Sequence, residues 1–133
     1  MVFGAADGLS LILGLILGLA VSRQPSSAVW HAALAGGVAE FGGMALGQYW
    51  SDPGRDKTGA LLNGGAGATA VIASGAPFAI TAGAPAVGMA AAIVAAFALA
   101  VTFLREEPGW LAVARTFGLL LAAGALSAAS GLL

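Results

Sequence analysis

Residues 36–50 read Gly-Gly-Val-Ala-Glu-Phe-Gly-Gly-Met-Ala-Leu-Gly-Gln-Tyr-Trp. The run is apolar enough to cross a bilayer. Glu40, Met44 and Gln48 nevertheless fall at successive i+4 positions, so in a helix all three share one face. Gly36, Gly43 and Gly47 lie on or beside that face, where another backbone can approach closely. A carboxylate, a thioether and an amide in line on an apolar helix need a reason to be there. The remainder of the chain reads as their housing.

Composition sets the class. Of 133 residues, 59% are hydrophobic and 8% charged, and the mean hydropathy is +0.96. Soluble domains carry about 25% charged residues, so this composition indicates an integral membrane protein in contact with the lipid bilayer. The net charge of −1 leaves no basic footprint for nucleic acid. There is no cysteine, which excludes disulfides, thiolate metal sites and iron–sulfur ligation. The 21 glycines suit close helix packing in a membrane. No nucleophile–base pair, phosphate loop or cofactor motif stands outside the apolar runs, so the expectation is a non-enzyme with no permanently bound cofactor.

Five segments are long enough to span at roughly 20 residues each: about 2–21, 28–50, 59–81, 85–104 and 110–132. The expected fold is all-α, a single transmembrane domain of five helices. Segment 1–22 lacks the positive start of a signal peptide and carries Asp7 there, so it reads as a permanent helix. Pro25 ends the first connection, and Ser26 or Ser27 can cap the second helix. Residues 51–58 and 105–109 are the polar loops. The third helix is the weakest, because Asn63, Gly64, Gly65, Gly67 and Pro77 all lower its propensity. The fourth, nearly pure Ala, Val, Ile, Leu and Phe, is the best candidate to face lipid.

Positive charge sets the orientation. Arg55, Lys57 and Arg105 fall on one side of a five-span chain and Arg23 on the other. That puts the N-terminus in the cytoplasm and the C-terminus outside, with Arg115 able to snorkel back to the cytoplasmic face. Tyr49, Trp50 and Trp110 then anchor the cytoplasmic interface and Trp30 the outer one. Short loops and Ala/Gly-rich helices suggest a bacterial inner membrane.

Ionisable groups inside a span mark a pathway or an ion site by default. Glu40 is ten residues from Trp50, about 15 Å along the helix, near mid-membrane. Its structural alternative is a protonated carboxyl bonded to backbone or to Arg115. Asp7 either caps a helix starting at Gly8 or lies inside a longer first helix. The antiparallel arrangement of helices one and two sets Asp7 level with Met44, so Asp7, Met44 and Glu40 can line one cytoplasm-facing path. Met44 alone would fill a core, and Gln48 alone would be interfacial; their alignment with Glu40 groups them. Oxygen ligands with a thioether suit Fe²⁺ or Mn²⁺ better than Mg²⁺ or Ca²⁺, and metal binding to carboxyls releases protons. His31 is an interfacial group or an exit-side ligand. Asn63 reads as a helix-to-helix hydrogen bonder. Gly4/Gly8, Gly14/Gly18 and Gly43/Gly47 are spaced for close helix crossing.

Two stretches resemble the vacuolar iron transporter family. Ala6-Asp7-Gly8 followed by Leu-Gly-Leu-Ile-Leu-Gly-Leu-Ala over residues 13–20 is similar to its first-helix motif, usually Asn-Asp-Gly before a Gly-containing apolar run. Gly42-Gly43-Met44-Ala45-Leu46-Gly47-Gln48-Tyr49 is similar to its second-helix motif, small-Ser-Met-Ala-x-Gly-Glu-Tyr. The resemblance implies a homodimer of five-helix subunits, with the first helices lining a central path. It also implies export of Fe²⁺ or Mn²⁺ from the cytosol in exchange for protons, through positions matched by Asp7, Met44 and a helix-two Glu. Aligned on the methionine, Gly36 takes the place of that Glu and Glu40 serves from one turn away; aligned on Val-Ala-Glu, Glu40 takes it directly. Ala6 and Gln48 stand where the family has Asn and Glu. The long acidic segment common between helices two and three is replaced by residues 51–58, which implies weaker metal capture.

The expectation is therefore a divalent-metal/proton antiporter with a metal path of Asp7, Glu40, Met44 and Gln48. The alternatives are a non-transporting membrane scaffold or partner subunit, and a transporter of another small cation.

Overall fold

The computed structural model describes the backbone of residues 2–21, 23–51, 57–104 and 109–130. The described chain is almost entirely helical: α1 (Val2–Val21), α2 (Ser26–Ser51), α3 (Lys57–Gly75), a single turn α4 (Pro77–Ile80), α5 (Ala84–Phe103) and α6 (Trp110–Ser130). The connections holding Arg55 and Arg105, on which the orientation rests, lie outside the described residues.

The helix ends follow local chemistry. α1 closes where Arg23 takes a left-handed conformation (φ 56), and the Gln24 N–H bonds back to the Leu19 carbonyl at 3.1 Å. Pro25, rather than Ser26 or Ser27, precedes the first residue of α2, and its carbonyl accepts the Ala28 N–H at 2.9 Å. The third segment does not run through to residue 81. Pro77 has no N–H to continue the ladder, so α3 stops at Gly75 and the chain restarts as α4. Gly83 (φ 66) then turns the chain into α5, whose first turn holds Pro85.

α1 occupies the middle of the bundle, packing against α2, α3, α5 and α6. Leu9, Ile12 and Ile16 of α1 join Val29, Ala33, Val71, Phe78, Ala90 and Val94 in the core. Gly8 and Gly75 are among the positions where a close approach depends on glycine. A Cβ on Gly8 would collide with the Gly67 backbone of α3, and one on Gly75 would collide with Ala33 of α2. Gly43 and Gly47, expected to admit a neighbouring backbone, instead have open space beside them, and a Cβ on Gly36 would lie nearest to Val71, Leu11 and Leu15, at ordinary distances.

Around α1 the other long helices form an arc in the order α2, α3, α5, α6. Among the described residues its two ends, α2 and α6, do not touch. One side of α1 is left open there: Asp7, Ser10 and Leu11 are exposed, and Gly14 and Gly18 continue the same face.

Among the described residues one helix, Ala84–Phe103, is both long and apolar enough to cross a membrane. It buries Ala86, Ala90, Val94 and Ala98 along one stripe. Polar interruptions keep α2 and α3 below that level: Glu40 and Gln48 in the first, Asn63 and a run of glycines in the second. The outer surface is apolar as well. Leu111, Leu119, Leu121 and Leu126 of α6 are 72–74% exposed. Exposed leucines in that number suit contact with lipid or with another protein.

Candidate functional site

The Glu40 face of α2 is its inward face. Val29, Ala33 and Gly37 are buried on that side, and Glu40 continues it one turn past Gly36. The side chain is half-buried. It meets Asp7 of α1, close enough for the two carboxyl groups to couple electrostatically and to share a hydrogen bond when one holds a proton. The Oε1 atom of Glu40 is enclosed and has no hydrogen-bond partner. The depth estimate from sequence set Asp7 level with Met44; the structure pairs it with Glu40, one turn further from Trp50. Asp7 itself lies within α1, five residues beyond the helix start, and does not cap it.

One turn from Glu40 toward Trp50, the same face of α2 borders a cleft of about 320 Å³ lined by Gly43, Met44, Gly47, Gln48, Ser51 and Asn63. The absence of side chains at Gly43 and Gly47 makes the space. Asn63 of α3 donates from Nδ2 to the Gln48 Oε1, the helix-to-helix role expected of it. That bond uses one of the two acceptor positions on the only Gln48 atom suited to a metal ion. Its place in the cleft was not readable from sequence, because Asn63 reaches Gln48 only through the antiparallel pairing of α2 and α3.

The four sequence-predicted residues therefore form two adjoining parts: a carboxyl pair, Asp7 and Glu40, and a cleft holding Met44 and Gln48. Among the described residues no group of three or more His, Asp or Glu side chains converges on one point. Two carboxylates at contact repel strongly in a low dielectric and need a cation or proton between them. A thioether and amide oxygen one turn away offer weak, exchangeable ligands.

Two other candidates fall elsewhere. His31 is exposed on the opposite side of α2, and its Nδ1 donates to the Ser27 carbonyl at 2.7 Å. Arg115 does not join Glu40; it lines a separate cleft with Ser10 and Thr116. Trp50 and Trp110 are 71% and 84% exposed, as interface anchors would be.

No curated protein and no solved structure matches the chain. Residues 1–59 match the model of the VIT family, a segment that holds Asp7, Glu40, Met44 and Gln48 and is consistent with membership of that family.

Proposed function

We propose that this chain is a five-span membrane transporter that moves a divalent first-row cation, Fe²⁺ or Mn²⁺, out of the cytosol in exchange for protons. The observation that carries it is the Asp7–Glu40 carboxyl pair, which joins two helices inside the segment matched by the VIT family. The ion enters at the Met44–Gln48 cleft. It sheds water there against the thioether and the amide oxygen, then passes one turn deeper to the two carboxyls. Binding displaces the proton that holds the empty pair together, and this couples the two fluxes. In this register Glu40 acts as the helix-two carboxylate; the atoms nearest a Cβ at Gly36 belong to the apolar side chains of Val71, Leu11 and Leu15.

The working unit is a homodimer. The open side of α1 between α2 and α6 leaves Asp7 and Leu11 exposed toward a second copy, and the open Gly43/Gly47 face of α2 permits close approach. The membrane is the bacterial inner membrane, with the N-terminus in the cytoplasm. Residues beyond Ala84–Phe103 that complete the remaining spans do so in contact with partner helices, which lowers the apolarity each needs.

Flux into proteoliposomes tests this. Wild-type protein is expected to carry Fe²⁺ and Mn²⁺ with opposed proton movement, and Glu40→Gln is expected to abolish both. Equal flux by the variant at normal expression rejects the carboxyl-pair path. Transport of organic cations in preference to either metal favours the alternative cargo, and no flux of any cation favours a scaffold.

A further inference from the structure

The second cleft, about 330 Å³ between α1, α5 and α6, has a composition unlike the first. Among the described residues its polar groups are Ser10, Arg115 and Thr116, and none of those that line it is a carboxylate. The Thr116 hydroxyl already donates to the Ala112 carbonyl at 2.9 Å, so it offers no proton to a ligand. The guanidinium is the charged donor of the cleft. Leu9, Val101 and Leu120 form buried apolar walls. Outward, the cleft is continuous with the exposed leucines of α6, since Leu119 belongs to both.

Arg115 lies five residues beyond Trp110, about 7.5 Å along the helix. A cation at that depth within a span must find an anionic partner or water. A free inorganic anion would satisfy the guanidinium and leave the apolar walls unused. An amphiphile with an anionic phosphodiester satisfies both: the phosphate accepts two parallel N–H bonds from the guanidinium, and an acyl chain lies along Leu9, Leu119 and Leu120. Basic pockets between helices on the cytoplasmic side are suited to such headgroups.

We propose that the α1–α5–α6 cleft is a binding site for an anionic phospholipid of the surrounding leaflet, with Arg115 as the phosphate ligand. The site is separate from the carboxyl pair and rests on the membrane-spanning part of the proposed function, not on metal transport. Because α1 carries both Asp7 and the cleft residues Leu9 and Ser10, an occupied cleft also braces the helix that holds the carboxyl pair.

The test uses the full chain purified in mild detergent and incubated with equimolar phosphatidylglycerol and phosphatidylcholine. Retained lipid is counted by native mass spectrometry. Wild type is expected to keep phosphatidylglycerol in preference, and Arg115→Gln to lose about fivefold of that preference, the factor one basic contact supplies. Arg115→Lys, with charge but no fork, is expected to fall between them. Ala112→Phe, which fills the cleft and keeps the charge, is expected to lose it as well. Lys57→Gln, outside the cleft, is expected to retain it.

Undiminished preference in both Arg115→Gln and Ala112→Phe overturns the proposal, as does an equal loss in Lys57→Gln. Thermal stabilisation by inorganic phosphate equal to that by phosphatidylglycerol overturns the lipid and leaves a free-anion site. Carbonate extraction of membranes separates the two levels: a chain released by carbonate fails the spanning reading, whereas a resistant chain with no phospholipid preference fails only this one.

Discussion

Asp7 of α1 and Glu40 of α2 face each other as two carboxyl groups in direct interaction, and an enclosed oxygen of Glu40 is left without a hydrogen-bond partner. Nothing in helix packing calls for that arrangement. Two like charges brought together between apolar helices weaken the fold unless something positive lies between them. On the proposed function, the pair is the place where stability is given up for binding.

Replacing either member with its amide tests this directly. Asp7→Asn and Glu40→Gln are each expected to lower metal flux by more than about tenfold, while leaving thermal stability in metal-free buffer unchanged or raised. The double variant is expected to be no worse than the single ones, because the two groups act as one unit. Flux assays and melting curves on the four proteins provide the check; additive losses would argue against a shared ion.

The Asn63–Gln48 bond ties α3 to α2 at the edge of the cleft. Asn63→Ala is expected to cost about 1 kcal/mol, read as a lower melting temperature. Adding Gln48→Ala to that variant is expected to cost little more. Gln48→Glu, which restores the carboxylate usual at the matched family position, is expected to raise metal affinity as measured by competition in the flux assay.

Gly8 and Gly43 separate packing within the chain from association between chains. Gly8→Ala puts a methyl against the Gly67 backbone and is expected to destabilise the monomer by about 2 kcal/mol. Gly43→Ala has open space around it and is expected to leave monomer stability unaltered. Gly43→Leu is expected to weaken the proposed dimer, checked by light scattering in detergent.

Arg23 holds a left-handed conformation that costs an L-residue about 1–2 kcal/mol. Arg23→Gly is expected to recover about 1 kcal/mol, visible as a raised melting temperature. The charge on that side of the membrane falls as well, so the orientation should be checked by protease accessibility in the same experiment.

Glu40, Met44 and Gln48 could be assigned to one face without coordinates, because i+4 spacing is a property of any helix. The arrest of the third helix at Pro77 follows from a missing N–H, although how far the helix extends depended on the packing of Gly75 against Ala33. Burial of α1 was a different matter. That helix is apolar apart from Asp7 and Ser10, and a row of small and polar residues such as Asp7, Ser10, Gly14 and Gly18 suits a tight helix seam as well as an open side. Its place at the centre, with Asp7 turned toward Glu40, emerges only when four neighbours close around it. The same holds for Arg115. Composition identified it as a costly charge within a span, but its neighbour Ser10 is over a hundred positions earlier in the chain. Spacing along one helix is local geometry and can be counted in the letters. Which of several equally apolar helices meet is decided by the fit of small residues against one another, and that exists only in the assembled bundle.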